Sequence, residues 1–154
     1  MNNSLMPILD RVLVRQGFKR KSATWFADKS EAIVVVNLQK SQWGEQYYVN
    51  LAVWVKALGE TRLPPKEHLC HVRTRLTSLA DDLLAQALDL TNDELSETER
   101  EQIVETQLLA AAFPFLTECG TVEGLARLYQ AGKLGKAMVH RDLKQLMSKV
   151  TRLD

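Results

Sequence analysis

The stretch that most constrains the fold is residues 33–55, IVVVNLQKSQWGEQYYVNLAVWV. Two runs rich in β-branched residues, 31–40 and 46–56, flank a polar loop that contains Gly44. Such runs around a short glycine-containing loop are typical of a β-hairpin. Side chains alternate between the two faces of a strand, so each strand of this hairpin has one apolar face and one more polar face.

The register of the hairpin follows from burial of the apolar faces. If those faces lie together, Val34 pairs with Val53. A shift by one residue would mix apolar and polar side chains on each face, which burial opposes. The same register predicts five further pairs: Val36 with Leu51, Leu38 with Val49, Asn37 with Asn50, Gln39 with Tyr48, and Ile33 with Trp54.

Periodicity assigns the rest of the chain. Apolar residues at helical spacing predict an N-terminal helix over 5–16, which Gly17 ends. Alternation predicts a strand near 24–27 and a fourth strand over 68–76. Further helices are predicted over 80–90, 121–131 and 140–150, with Leu125, Leu128 and Tyr129 inward in the second of these. Another helix is predicted to begin at the capping box of Ser96 and Glu99, to run through Phe113 and to kink or end at Pro114.

This order of elements predicts an α+β fold. An antiparallel sheet of about four strands would carry the N-terminal helix and a C-terminal helical half on one face. The other face would stay open, as antiparallel sheets allow. At 154 residues the chain fits a single domain over 1–154, with helix and sheet in 5–76 and the helical half in 77–154.

Composition favours a soluble cytoplasmic protein. No run approaches the roughly 18 consecutive apolar residues of a membrane span, and the N-terminus lacks the pattern of a signal peptide. The cysteines, Cys70 and Cys119, are far apart without motif spacing, so we expect both to be reduced.

The sequence gives little support to catalysis or metal binding. His68, Cys70 and His71 are zinc-type ligands, but adjacent strand residues face opposite ways and a fourth ligand is not evident. In the fourth strand, Cys70 is expected on the apolar side with Val72. No phosphate loop, dinucleotide-binding glycines or HExxH motif is present. We therefore expect no catalytic residues, no metal and no cofactor.

The polar face of the predicted sheet is a candidate binding site. If the fourth strand joins the sheet, its arginines lie beside the amides and aromatics of the hairpin, which suits a phosphate, a carboxylate or an unstacked base. The alternative is an ordinary solvated sheet face. The candidate residues are Asn37, Gln39, Tyr48, Asn50, Trp54, His71, Arg73 and Arg75.

An acidic stretch over 81–105 is a second candidate surface. It contains a single basic residue, Arg100, and suits a basic protein partner by charge complementarity. The alternative is a solvated helix face. The candidate residues are Asp81, Asp82, Asp89, Asp93, Glu94, Glu97, Glu101 and Glu105. Trp43, in the hairpin loop, would either contact a partner or fold back onto the sheet.

Three runs, GFKRKSATWF, VVNLQKSQWGEQYYVNLAVW and PPKEHLCHVRTRL, resemble a bacterial family of unassigned function. It is catalogued as domain of unknown function four-three-zero-four. The resemblance covers about residues 5–76. It singles out Gly17, Phe18, Lys19, Trp25, Asn37, Gln39, Lys40, Tyr48, Asn50, His71, Arg73 and Arg75, and it implies no established activity.

Two functions remain open on these observations. A small α+β domain without catalytic motifs is typical of a binding protein, and the acidic stretch favours an immunity-type inhibitor of a bacterial toxin or nuclease domain. The alternative is a small-ligand or nucleic-acid binding domain, with or without enzymatic activity, that uses the polar sheet face.

Overall fold

The computed structural model describes residues 4–151. The ends of the expected domain, 1–3 and 152–154, lie outside the described residues. The helices are α1 Leu5–Arg15, α2 Asp82–Ala87, α3 Glu97–Gln107, α4 Phe113–Glu118, α5 Val122–Gln130 and α6 Arg141–Thr151. The strands are β1 Lys19–Lys21, β2 Thr24–Asp28, β3 Ala32–Lys40, β4 Tyr47–Val55, β5 Val72–Arg75 and β6 Met138–Val139.

The α+β fold is confirmed, but the sheet has six strands and not about four. The strands lie in chain order from β1 to β6, and each neighbouring pair is antiparallel. The two strands that the sequence pattern missed are the short edge strands β1 and β6. Strand β1 consists of exposed Lys19, Arg20 and Lys21, so it has no apolar alternation to recognise.

The hairpin register is confirmed. Val34 pairs with Val53, Asn37 pairs with Asn50, and the other predicted pairs of β3 and β4 are also present. The inner-face residues Val34 and Val53 are fully buried. Burial of this face therefore fixed the register, as the period of two requires.

The inner face of the sheet is covered by helices. Helix α1 presents Leu5, Leu9 and Leu13 to the main core, where all three are fully buried. Trp25 of β2 is fully buried too, and its Nε1 donates a hydrogen bond to Asp10 Oδ1 at 3.0 Å. Apolar residues of α3 to α6 complete the same core.

The helical half follows the predicted order with local differences. The Ser96 capping box is present, since Glu99 N–H donates to Ser96 Oγ and Ser96 N–H to Glu99 Oε1. Helix α3 leads through a π-helical turn, Leu108–Ala112, into α4, so Pro114 does not end the helical run. Pro114 lies in the first turn of α4, where a missing N–H is tolerated. Tyr129 is 45% exposed, so its expected inward position is wrong.

The outer face of the sheet is divided into two parts. Near Ile33, Val35 and Ala52 it forms a second small apolar cluster that also includes Cys70. The expected position of Cys70 beside Val72 on the inner face is therefore wrong, because the residue precedes β5 and does not continue its alternation. The part nearer to Asn50 carries polar side chains.

Among residues 4–151, no single helix is long and apolar enough to cross a membrane. Only the helical run 97–118 taken with α5 reaches that length and composition, and the two are bent by 115° at their junction.

Candidate functional site

On the predicted polar face, the side chains of Trp54 and His71 make contacts within the protein. Trp54 Nε1 donates a hydrogen bond to Gly59 O at 2.9 Å, so the segment after β4 crosses this part of the face. His71 is buried, its ring centroid lies 4.4 Å from that of Trp54, and its Nδ1 accepts a hydrogen bond from Val55 N–H at 2.9 Å. The Nδ1 of His71 thus satisfies a strand N–H and is not available to a ligand.

The environment of His71 favours its neutral form. Burial lowers the pKa of His71 below its usual value, and the nearby His140 lowers it further, while Asp142 acts in the opposite direction. A neutral imidazole is what the hydrogen bond from Val55 requires, because protonation would occupy Nδ1 with a hydrogen.

A chain of amides occupies the centre of the polar half. Asn50 Nδ2 donates to Asn37 Oδ1 at 3.1 Å and to Gln39 Oε1 at 2.9 Å. Asn37 Nδ2 in turn donates to Thr24 Oγ1 at 3.0 Å. These bonds fix Asn37 and Asn50 and use both amide hydrogens of Asn50. The Nε2 group of Gln39 makes no hydrogen bond to another described residue, so its two donors face outward.

Two arginines of β5 flank the amides, and they differ in whether a carboxylate of the described chain pairs with the guanidinium. Arg73 makes a two-point contact with Glu67, with Nε at 3.1 Å from Oε1 and an Nη at 3.4 Å from Oε2. Arg75 stacks on Tyr48, with its guanidinium carbon 3.8 Å from the ring centroid. Arg75 has no hydrogen-bond or ion-pair partner within residues 4–151, so its charge is not neutralised by a carboxylate.

These side chains line an open cavity of about 440 Å³ over the end of the sheet. The lining contains Gln39, Asn50, Glu67, Arg73, Thr74, Arg75, Ser78, Lys136 and Met138. Glu67 offsets the charge of Arg73, which leaves Arg75 and Lys136 to make the cavity positive. We call it the polar cavity.

The sequence predicted part of this cavity. Gln39, Asn50, Arg73 and Arg75 line it, and Tyr48 supports Arg75. The sequence pattern did not indicate the other five lining residues, Glu67, Thr74, Ser78, Lys136 and Met138. Met138 and Lys136 are contributed by strand β6 and the turn before it, more than sixty residues beyond β5, and no local pattern linked that segment to the sheet.

Several acids of the 81–105 stretch make hydrogen bonds or ion pairs within the protein. Asp81 accepts from Leu83 N–H at the start of α2 and from Gln107 Nε2. Glu101 and Glu105 form ion pairs with Arg11 of α1.

Two further acids of this stretch have local partners. Asp89 accepts from Thr91, and these hydrogen bonds lower the pKa of Asp89. Glu97 lies 3.5 Å from Arg100 Nε. Asp82, Asp93 and Glu94 make no side-chain hydrogen bond or ion pair to the described part of the chain.

The remaining residues that the sequence singled out are the cysteines with their neighbouring histidines, and Trp43. Within the described range, no three His, Cys, Asp or Glu side chains are grouped as metal ligands. Cys70 and Cys119 are free and buried; burial raises the pKa of Cys70 to about 12 and also raises that of Cys119. Such thiols are poor nucleophiles. Trp43 is 92% exposed, so it does not fold back onto the sheet.

Comparison with known proteins gives one match. The family model described as Domain of unknown function (DUF4304) matches residues 9–118. The match extends beyond the range 5–76 in which the resemblance was visible and includes α2, α3 and α4. Neither a curated protein nor a solved structure matches the chain.

Proposed function

We propose that this chain, which belongs to the DUF4304 family, binds a small anion in the polar cavity and acts as a binding domain. The observation that carries the proposal is the state of Arg75. Its guanidinium is held in a defined position by Tyr48, at the wall of a cavity, without a carboxylate partner among the described residues. An oriented guanidinium of this kind presents two parallel N–H donors, which suits a carboxylate or a phosphate.

The neighbouring groups support the same ligand class. Gln39 Nε2 and the Lys136 ammonium are further donors at the cavity, and the amide chain from Thr24 to Gln39 holds the Gln39 carbonyl so that its amino group faces outward. A cavity of about 440 Å³ falls within the size range of small-molecule sites.

A nucleic-acid base is less well suited to this face. Bases bind to proteins by stacking on exposed aromatic rings. Tyr48 already carries Arg75 on its ring, and Trp54 is engaged with Gly59 and His71. The two aromatic residues of the predicted face are therefore both occupied, which favours a small anion.

The test is a titration of the protein with inorganic phosphate and with acetate, followed by the amide signals in NMR. We expect shifts at the side-chain amides of Gln39 and Asn50. Arg75→Ala should weaken the affinity about 10- to 100-fold, because a hydrogen bond to a charged group is lost. The matched control is Arg15→Ala, which removes an exposed arginine at the end of α1. Equal affinities for the wild type and for Arg75→Ala would contradict the proposal.

A second candidate function is binding of a basic protein partner, as in an immunity-type inhibitor of a bacterial toxin or nuclease domain. The observation that favours it is a groove of about 340 Å³ between α2 and α3, where exposed Leu83 and half-buried Ile103 lie beside Asp81 and Glu99. An apolar groove with acidic margins suits a partner with basic and apolar side chains. The two buried, reduced thiols support a cytoplasmic setting for such a complex.

This second proposal is tested by mixing the protein with a basic toxin or nuclease domain and measuring complex formation at low salt. Leu83→Asp should abolish the complex, and Asp82→Lys should slow association at low salt, whereas the exposed control Glu60→Lys should leave both unchanged. A complex that tolerates Leu83→Asp would contradict the use of this groove.

A further inference from the structure

A second large cavity lies on the other side of strand β5. It has a volume of about 610 Å³ and is bounded by the π-helical turn, by α4 and by the segment between α5 and β6. We call it the apolar cavity after the apolar part of its wall, which contains Leu79, Ala110, Ala111, Phe115 and Leu128; the rest of the lining is polar. Nothing in the sequence pattern indicated it.

The shape of this cavity follows from its residues. The π-helical turn Leu108–Ala112 places two of its alanines, Ala110 and Ala111, in the wall, where small side chains leave space. Gly132 and Gly135 border the cavity from the opposite side and also lack bulk. A π-helical turn within an α-helix is frequently found at functional sites.

The apolar cavity also has polar lining residues. Thr74, Ser78 and Lys136, which line the polar cavity too, contribute two hydroxyl groups and a cation, and Lys133 contributes a second cation. Glu118 is the acid of the lining, and its carboxylate accepts hydrogen bonds from Arg127. The lysines make no ion pair within residues 4–151, so the polar part of the lining carries a net positive charge.

The two cavities meet around the edge of the sheet. Thr74, Ser78 and Lys136 line both of them. Strand β6 pairs only with Val72 and Arg73, so β5 beyond Arg73 is a free edge in the described sheet. The polar cavity on the outer face and the apolar cavity on the inner face are joined across this edge.

We propose that the ligand of the polar cavity is an amphiphilic anion, whose charged head contacts Arg75 and Lys136 and whose apolar body enters the apolar cavity. The inference rests on the proposed anion-binding function, and it names the class of ligand: an alkyl or aromatic chain with a single phosphate or carboxylate head. A purely polar anion would leave the apolar walls in contact with water. A neutral hydrocarbon would leave the two cations without a partner.

The test uses two series of ligands below their micelle concentrations: inorganic phosphate with butyl, hexyl and octyl phosphate, and acetate with butyrate, hexanoate and octanoate. Calorimetry measures the dissociation constant of each. We expect affinity to rise by about fourfold for each methylene group that is buried, up to the length that fills the apolar cavity. A rise in either series supports the inference, and the better series identifies the head group.

The matched variants are Ala110→Trp, which fills the apolar cavity, and Ala85→Trp, which adds the same side chain at an exposed position of α2. Ala110→Trp should remove the dependence on chain length while leaving the affinity for inorganic phosphate or acetate unchanged, and Ala85→Trp should change neither. Thermal melting of both variants verifies that they are folded. The chain-length series on the wild-type protein tests the inference even if a variant does not fold.

Two outcomes would overturn the inference and can be told apart. If the short anions bind through Arg75 but affinity does not increase with chain length, or if the increase persists in Ala110→Trp, the amphiphilic ligand is refuted and the anion site remains. If neither the short anions nor their long-chain forms bind, the proposed function fails together with the inference.

Discussion

Arg100 connects the helical half to the hairpin, and its removal should destabilise the whole domain. The residue is only 2% exposed, and its guanidinium donates hydrogen bonds to three backbone carbonyls, those of Ala87, Asp89 and Asn92. The segment that it holds also pairs with the hairpin, since Tyr47 N–H donates to Leu88 O and Leu90 N–H donates to Glu45 O. Arg100→Met keeps most of the side-chain volume and removes all three donors.

The size of the effect follows from these contacts. The bond to Ala87 O is buried, and leaving a buried carbonyl without a partner costs about 1–3 kcal/mol. The bonds to Asp89 O and Asn92 O are partly buried, so water can replace them and each loss costs about 0.5–1.5 kcal/mol. We therefore expect Arg100→Met to lower the free energy of unfolding by about 2–6 kcal/mol, the sum of these three losses.

Urea unfolding followed by circular dichroism measures this loss, and the melting temperature should fall by roughly 4–24 °C. The matched control is Arg127→Met, because Arg127 also makes several charged contacts, with Glu118 and Glu123, but does so on the surface. It should leave the urea midpoint nearly unchanged. A loss below about 1 kcal/mol for Arg100→Met, or an equal loss for Arg127→Met, would contradict the stabilising role of the buried Arg100 hydrogen bonds.

Two further predictions concern His71 and Gly124. The pKa of His71 is lowered in the folded state, so the unfolded chain binds protons more readily than the folded one. The free energy of unfolding should therefore be constant above about pH 6.5 and fall as the pH drops through the folded pKa. His71→Asn retains an acceptor for Val55 N–H and should weaken this pH dependence in urea titrations between pH 8 and pH 5; an unchanged dependence would show that other groups cause it. Gly124→Ala would place a Cβ against the carbonyl of Glu118, at the packed start of α5, and should cost about 3 kcal/mol or more. The control Gly44→Ala, which meets no atom within 4 Å, should leave the melting temperature almost unchanged, and equal melting temperatures for the two variants would contradict this assignment.

The hairpin was predictable because a single rule determined it. Alternation and burial together allowed one register, and Asn37 paired with Asn50 as that register requires. The edge strands were not predictable in this way. Lys19–Lys21 forms a strand because it pairs with Thr24–Phe26, and its own side chains contribute nothing to the core.

The candidate site was predictable in its side chains but not in its boundaries. Parity placed Asn50, Arg73 and Arg75 on one face, and they do line one cavity. Parity could not show that the segment after β4 would contact Trp54, because that segment is irregular and has no period, nor that His71 would be buried against the Trp54 ring. The same limit hid the ion pair of Arg73 with Glu67; of the two arginines, Arg75 is the one without a carboxylate partner among the described residues.

The residues that line the two cavities lie partly inside and partly outside the range that matches the family model. The matched range, 9–118, includes Gln39, Asn50 and Arg75 of the polar cavity and the alanine wall of the apolar one. Leu128, Lys133 and Lys136 lie beyond it. Of the donors proposed for the charged head, Gln39 and Arg75 therefore lie in the matched range and Lys136 lies beyond it, and closure of the apolar cavity depends on residues 119–137. A chain that matched the same model but lacked an equivalent of this last segment would keep Arg75 over Tyr48 and lose the wall that holds an apolar body. Replacing Leu128 by Asp should accordingly weaken octyl phosphate binding while the affinity for inorganic phosphate is retained.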